Sequence, residues 1–334
     1  MKSKIAGVSL CLLGAAVAIA QRGGGAAGQL REVTVAEIPG VIGAGAVWKL
    51  VWQGTDNADG IVGTKDGGLL FAQEQPNRIS KLDGKTNKVS AFLEDTHGTG
   101  ALTVDSRGRI FGVERTCTDP GRQPDKCTEP TAVAELAPER KLLADNIDGK
   151  SLGRLNDLIV DKKGGFYFNG GALFYLNPAG KVSTIGENIR TNGITLSPDE
   201  KTLYVTNGGT IVEFDVQPDG SVRNQRDFGK LEAGVAGGAG DGMTIDAAGR
   251  IYVTTGPGVQ VLSPEGKYLG VIPTARGVIS VAFSGPGKKT LYVVGSGALG
   301  PDGKEIETPP GVRNNAKSIY MISMIAEGFQ GRVK

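Results

Sequence analysis

The sequence predicts an all-β protein, a six-bladed β-propeller whose ring is closed by its N- and C-terminal strands in one blade. Three observations lead there. Short apolar runs come in pairs joined by Asp-x-x-Gly or Pro-Asp turns, and no segment carries a long helical period. The pairs recur at turns on Asp66, Asp105, Asp161, Asp199, Asp246 and Pro286, a repeat of about 40 residues, which is the period of propeller blades. One strand-like run stands before the first copy and another after the last. An antiparallel sandwich could use similar hairpins but gives no reason for a repeat of this length.

Taken in order, residues 1–20 read as a secretory signal peptide. Lys2 and Lys4 make a positive start, Ile5 to Ala20 is apolar and small, and Ala18-Ile19-Ala20 forms an Ala-x-Ala cleavage site before Gln21. The apolar run is short for a bilayer span and no stop-transfer pattern follows, so an anchor is the weaker reading. Cys11 lies inside that run after Leu10, where a lipoprotein cysteine would follow a small residue, and leaves with it. The expectation is export to a periplasm or the cell exterior, with no membrane attachment after cleavage. Residues 21–30, with Gly23-Gly24-Gly25, form a flexible leader, and residues 31–334 a single propeller domain.

Ala46 to Trp52 is the leading strand. The copies then run Val62 to Ala72, Leu102 to Val113, Leu158 to Phe168, Ile194 to Val205, Met243 to Val253 and Val281 to Val293, each an inner strand, a turn and a second strand. Third strands follow at 78–82, 132–136, 172–176, 210–214 and 259–262. Ser318 to Met324 is the last strand, expected to pair with the leading one and so remove the exposed edges of that blade. The two tryptophans, Trp48 and Trp52, read as ordinary packing.

With 53 glycines in 334 residues and only 6% aromatics, turns are plentiful and the core depends on Val, Ile and Leu. A net charge of +2 without a Lys/Arg cluster argues against a nucleic-acid partner. Cys117 and Cys127 bracket a polar, turn-rich loop, and in an oxidising compartment they are expected to form a disulfide. A nucleophilic thiol is the weaker alternative, because nothing in the sequence sets the lone His97 beside either sulfur.

Four acidic or amide motifs open inner strands: Ala58-Asp59-Gly60, Arg154-Leu155-Asn156-Asp157, Thr191-Asn192-Gly193 and Gly240-Asp241-Gly242-Met243. Singly, Asn-Gly and Asp-Gly are turn dipeptides. Residues just before innermost strands crowd around one mouth of a propeller. Asp59, Asn156, Asn192 and Asp241 together would make an all-oxygen cage for one divalent cation, calcium first, with magnesium, manganese or zinc as alternatives. Asp157 reads as fixing a turn or making a supporting bond behind the ligands. Glu74 and Glu114, after second strands, could stand near the mouth, and His97 in Thr96-His97-Gly98-Thr99 could line it and contact substrate, although a plain turn histidine is the stronger reading.

At these motifs, and at Ser197-Pro198-Asp199 with Leu203-Tyr204-Val205, the chain resembles the senescence-marker-protein/gluconolactonase (regucalcin-like) family from about Trp48 to Val294. The resemblance implies a six-bladed propeller with one divalent metal that hydrolyses lactones. It implies that Asn156, Asn192 and Asp241 are metal ligands, that Asp241 acts as base, and that Arg154 contacts substrate. Asp59-Gly60-Ile61 stands where the family carries Glu-Gly-Pro, and Asn169-Gly170-Gly171 is brief where many members carry a longer substrate loop. The expected protein is a monomeric, metal-dependent hydrolase of small lactones or esters. The alternatives are a paraoxonase-like esterase and a non-catalytic propeller that binds a ligand around a structural metal.

Overall fold

The structure is a computed structural model, and it describes residues 30–115, 130–232, 239–308 and 314–332. The Cys117–Cys127 pair, the signal segment and most of the leader lie outside the described residues.

Strand β1 (Lys49–Gln53) precedes the first full blade, which is β2 (Ile61–Gly63), β3 (Leu69–Gln73), β4 (Arg78–Leu82) and β5 (Val89–Glu94). Blade two is β6 (Thr99–Val104), β7 (Ile110–Glu114), β8 (Ala132–Ala137) and β9 (Lys141–Ala144). A short hairpin, β10 (Asn146–Ile147) with β11 (Lys150–Ser151), leads to blade three: β12 (Leu158–Val160), β13 (Phe166–Asn169), β14 (Leu173–Leu176) and β15 (Val182–Ile185). Blade four is β16 (Ile194–Leu196), β17 (Thr202–Asn207), β18 (Thr210–Val216) and β19 (Val222–Lys230). Blade five is β20 (Met243–Ile245), β21 (Ile251–Thr255), β22 (Gly258–Leu262) and β23 (Tyr268–Pro273). Blade six joins β24 (Val278–Ser284), β25 (Thr290–Ser296) and β26 (Ala316–Ser323) to β1, in the order β1-β26-β25-β24.

The six-bladed reading and the closure by the chain's two ends are therefore both found. Leu50 pairs with Tyr320 and Trp52 with Ile319. The innermost strands touch in the circular order β2, β6, β12, β16, β20, β24 and back to β2.

The Asp-x-x-Gly turns explain the regularity. Asp161 Oδ1 accepts the N–H groups of Lys163 and Gly165, each at 2.8 Å, while Gly164 takes φ 87°, a backbone state that favours glycine. Asp105 and Asp246 repeat the pattern with residues two and four further on. Each turn thus fixes the register of its own hairpin on the face remote from the starts of the inner strands.

The core lies between blades. Second and third strands are apolar on both faces because each face meets a neighbouring blade. The few aromatics concentrate at these seams. Phe111 of blade two meets Phe166 of blade three edge-on at 4.8 Å, and Tyr252 of blade five meets Phe283 of blade six at 4.9 Å. Trp52 lies 4.9 Å from Phe71 and helps cover the seam between blades six and one.

The sequence reading missed the fourth strands. β5 and β19 are mostly exposed, so they lack the apolar run that marks a buried strand. It also missed the chain after β26. That tail crosses the face opposite the inner-strand starts, with Ala247 N–H donating to Glu327 O and Gly328 N–H to Lys288 O. Arg332 then donates to the carbonyls of Leu196 and Ser197 in blade four, at 2.8 and 2.9 Å.

Candidate functional site

Strand register puts the four predicted residues at equivalent places. Ile61 pairs with Phe71, Leu158 with Phe168, Ile194 with Val205 and Met243 with Val253. Asp59, Asn156, Asn192 and Asp241 each stand two residues before that first pair. Backbone bonds repeat around them. Asp59, Asn156 and Asp241 donate their N–H to Ala72, Asn169 and Thr254 carbonyls at 3.0, 2.7 and 2.9 Å, while Asn192 N–H uses the Thr206 hydroxyl at 2.9 Å. Each side chain therefore leaves an ordered backbone at the mouth-side start of an inner strand, half-buried.

Side-chain contacts join part of the set. Asn156 Nδ2 donates to Asn192 Oδ1, bridging blades three and four. Arg154 Nη1 reaches Asn156 Oδ1 at 3.4 Å. Arg115, at the end of β7, links blades one and three. Its Nη1 donates to Asp59 Oδ2 at 2.7 Å and to Glu74, its Nε to Leu155 O at 2.9 Å, and its Nη2 to the backbone and side-chain oxygens of Asn156. Asp241 comes beside Asn192 through backbone packing: a Cβ on Gly193 would collide with Asp241 O. His97 sits half-buried on the mouth-side loop between β5 and β6 with φ 52°.

Below this rim, Asp157 ties blades three and four together, its Oδ2 accepting Ile194 N–H at 3.2 Å and its Oδ1 accepting Leu158 N–H at 2.9 Å. It braces two blades, the supporting bond being the second of the two roles the sequence left open. It also lines a channel cavity of about 20 Å³ with residues such as Gly60, Leu102, Met243 and Ser280, room for about one water.

Sequence reasoning missed three of the supporting residues. Asn169 is fully buried, and its Nδ2 donates to Thr191 Oγ1 at 3.1 Å and to Asn192 O at 2.7 Å, so it holds the third and fourth motifs together. The sequence places it in a shortened substrate loop. Thr206 Oγ1 accepts the N–H groups of both Asn192 and Gly193 at 2.9 Å. Arg115 gave no sequence signal because its partners lie about 40 or more positions away. Glu74, which the sequence placed near the mouth, is buried there against Arg115 and Asn57.

The candidate donors are all oxygen, two carboxylates and two amides, which suits a hard divalent cation and not a zinc site of nitrogen and sulfur ligands. Among the described residues no three Asp, Glu, His or Cys side chains form a metal-sized group. The amides Asn156 and Asn192, already in contact, are thus as necessary to a cation site as the carboxylates. By donor chemistry the set suits such an ion.

Fold and rim together define a six-bladed propeller with an oxygen-bearing channel mouth. The chain belongs to the SMP-30/gluconolactonase/LRE-like family, whose region matches residues 58–297. It is 26% identical to the gluconolactonase of Zymomonas mobilis over 281 residues, covering 72% of this chain and 76% of that protein. It is 30% identical to a pentonolactonase of Haloferax volcanii over 190 residues, 52% of this chain and 64% of that protein. Among solved structures, a gluconolactonase from Xanthomonas campestris shares the fold with a TM-score of 0.68 at 20% identity, covering 90% of this chain and 98% of that one. The calcium-binding regucalcin of Agrobacterium tumefaciens shares it with a TM-score of 0.58 at 16% identity, covering 84% and 95%.

Proposed function

We propose that the protein hydrolyses small lactones with the help of one divalent cation, calcium first, at the oxygen-bearing mouth, and that it does so after export. The observation that carries this reading is the equivalent placement of Asp59, Asn156, Asn192 and Asp241 at four inner-strand starts, in a family whose relatives include lactonases.

Asn156, Asn192 and Asp241 would hold the cation, and Asp59 adds a second negative charge to the rim. When bound, such an ion supplies Lewis-acid polarisation of an acyl carbonyl. The chain's own residues supply the rest. Arg154, half-buried beside Asn156, presents a planar donor fork that orients a hydroxylated or anionic lactone. Asp241 accepts a proton as water oxygen bonds to the acyl carbon, and that proton passes to the ring oxygen as the acyl–oxygen bond breaks, giving the hydroxy acid. Asn169 and Thr206 hold the backbones of the amide pair so that little reorganisation accompanies the reaction.

A lactone panel followed by acid release in a pH-stat tests the reading. EDTA should abolish turnover and calcium restore it. Asp241→Asn should lower kcat by about 10²-fold or more with the β-sheet circular dichroism unchanged. Turnover that survives both treatments would remove Asp241 and the cation from the mechanism.

A further inference from the structure

The two remaining blades complete the rim. In blade six Val281 pairs with Val293, and in blade two Leu102 pairs with Gly112, so Ile279 and Gly100 stand two residues before those pairs, each at a register shift. That is the place held by Asp59, Asn156, Asn192 and Asp241 in the other four blades. Asp241 and Gly242 share Thr254 in the same way, the one donating to its carbonyl and the other accepting its N–H, a bulge of the kind that re-aims side chains beside active sites. Backbone bonds between blades agree. Gly60 N–H donates to Gly100 O and Gly242 N–H to Ile279 O, each at 2.8 Å. Round the ring the six places are thus Asp59, Gly100, Asn156, Asn192, Asp241 and Ile279. A Cβ on Gly100 would collide with the Arg115 guanidinium, which fills that place.

Ile279 is the apolar member of a polar ring. It is half-buried, and its covered side packs on the seam between blades six and one, in the cluster that holds Ala58 and Ile61. In ring order it stands between Asp241 of blade five and Asp59 of blade one, three blades round from Arg154. Its backbone is fixed. Ile279 O also accepts Thr254 Oγ1 at 3.0 Å, Ser296 N–H donates to Gly277 O at 2.9 Å, and Arg276 meets Glu305 at 2.6 Å. A β-branched side chain has few rotamers, so an apolar wall here loses little freedom on binding. A single half-exposed isoleucine is ordinary on a protein surface. Between two carboxylates at a channel mouth, it takes hydrogen-bonding capacity away from one arc of the rim and offers methyl groups instead.

We infer that Ile279 is a specificity-determining residue, and that the substrate is a lactone whose ring carries an alkyl substituent, laid against Ile279 while the polar end faces Arg154 and the amides of blades three and four. The inference rests on the lactone reading above and names its substrate class. A polyhydroxylated ring would lose a hydrogen-bond partner for each hydroxyl turned toward Ile279, whereas a methylene placed on an apolar wall is worth about tenfold or more in kcat/KM.

The full chain with calcium supplied, followed by acid release, tests this on three lactones. Wild type should turn over δ-octalactone with a kcat/KM about tenfold or more above that for δ-valerolactone, which lacks the propyl group. Ile279→Asn installs the residue that Asn156 and Asn192 already carry at this backbone position. It should cut the octalactone-to-valerolactone ratio by about fivefold or more, mainly through KM. A general structural loss would lower both substrates together and leave the ratio alone. Ile279→Thr keeps the branched shape and decides if the asparagine variant does not fold. A wild-type ratio near one, a ratio that neither variant moves, or a higher kcat/KM on glucono-δ-lactone than on δ-octalactone would overturn the role given to Ile279 while leaving the lactone reading intact. No turnover of any of the three would overturn both.

Discussion

Asn169 illustrates how much of the candidate site depends on side chains behind its rim. Fully buried at the end of β13, it exchanges backbone bonds with Asn156 and Asp157 and donates its amide across to Thr191 and Asn192. Asn169→Ala would leave Thr191 Oγ1 and Asn192 O short of a donor and open a gap between blades three and four. Each lost bond to a buried partner costs about 1–3 kcal/mol. Urea unfolding should show a loss of about 2–4 kcal/mol, and kcat on any lactone that is turned over should fall further than KM changes. A variant with wild-type stability and kcat would show that the brace is dispensable. The rim residues themselves were legible in the sequence because all four precede an apolar run by the same offset. Asn169 and Arg115 were not, because each acts through partners on other blades, and Thr206 was not, because its hydroxyl serves the start of the neighbouring strand; one chain read in line cannot show which separate segments meet.

At the scale of the hairpin, the first three strands of each blade could be read directly. Their two apolar faces and, in blades two, three and five, an Asp-x-x-Gly turn leave little ambiguity, and strands such as β4 agree with the sequence reading to the residue. Fourth strands face solvent and are specified by pairing with the third strand more than by their own composition. The turn aspartates also differ in a testable way. Asp246 is fully buried and its second oxygen receives Arg250 Nε at 2.6 Å and Tyr252 OH at 2.9 Å. Asp161 is 8% exposed and takes Tyr175 OH at 3.0 Å, while Asp105 takes Arg109, which is partly in solvent. Alanine at these positions should therefore destabilise in the order Asp246, Asp161, Asp105, with Asp246→Ala costing about 2–4 kcal/mol because it strands a buried phenol and a partly buried guanidinium. Equal losses in the three variants would mean that the turn backbone alone sets the cost.

For the whole molecule, the tail beyond β26 offers a pH-dependent lock. Lys288 Nζ donates to Phe329 O at 2.7 Å and to Arg332 O. Burial first, and then the nearby Arg332 charge, lower its pKa from 10.5 to about 8. Below about pH 8 the folded and unfolded chains both carry the proton, so the cost of burying it is constant. Between about pH 8 and 10.5 the unfolded chain binds more protons, and stability rises with pH. The melting temperature of wild type minus that of Lys288→Met should become more positive from pH 8 to pH 10. Parallel curves would show that Lys288 is not the group responsible. The gross architecture, ring and closure, was legible from the repeat and the two end strands, whereas the tail was not, because its anchors are backbone carbonyls that leave no pattern in side-chain types.

The pairing of β1 with β26 has a consequence for how the polypeptide is made. Synthesis delivers β1 first and its partner only after five intervening blades. Those blades can condense one after another as they emerge, while β1 remains an unzipped edge. A ribosome that stalls before Ala316 leaves a broken circle, with blade six lacking its third strand and the wall beside blade one unsealed. Truncation late in the reading frame should thus be more damaging than its small length suggests, because the last strand is the clasp of the entire ring.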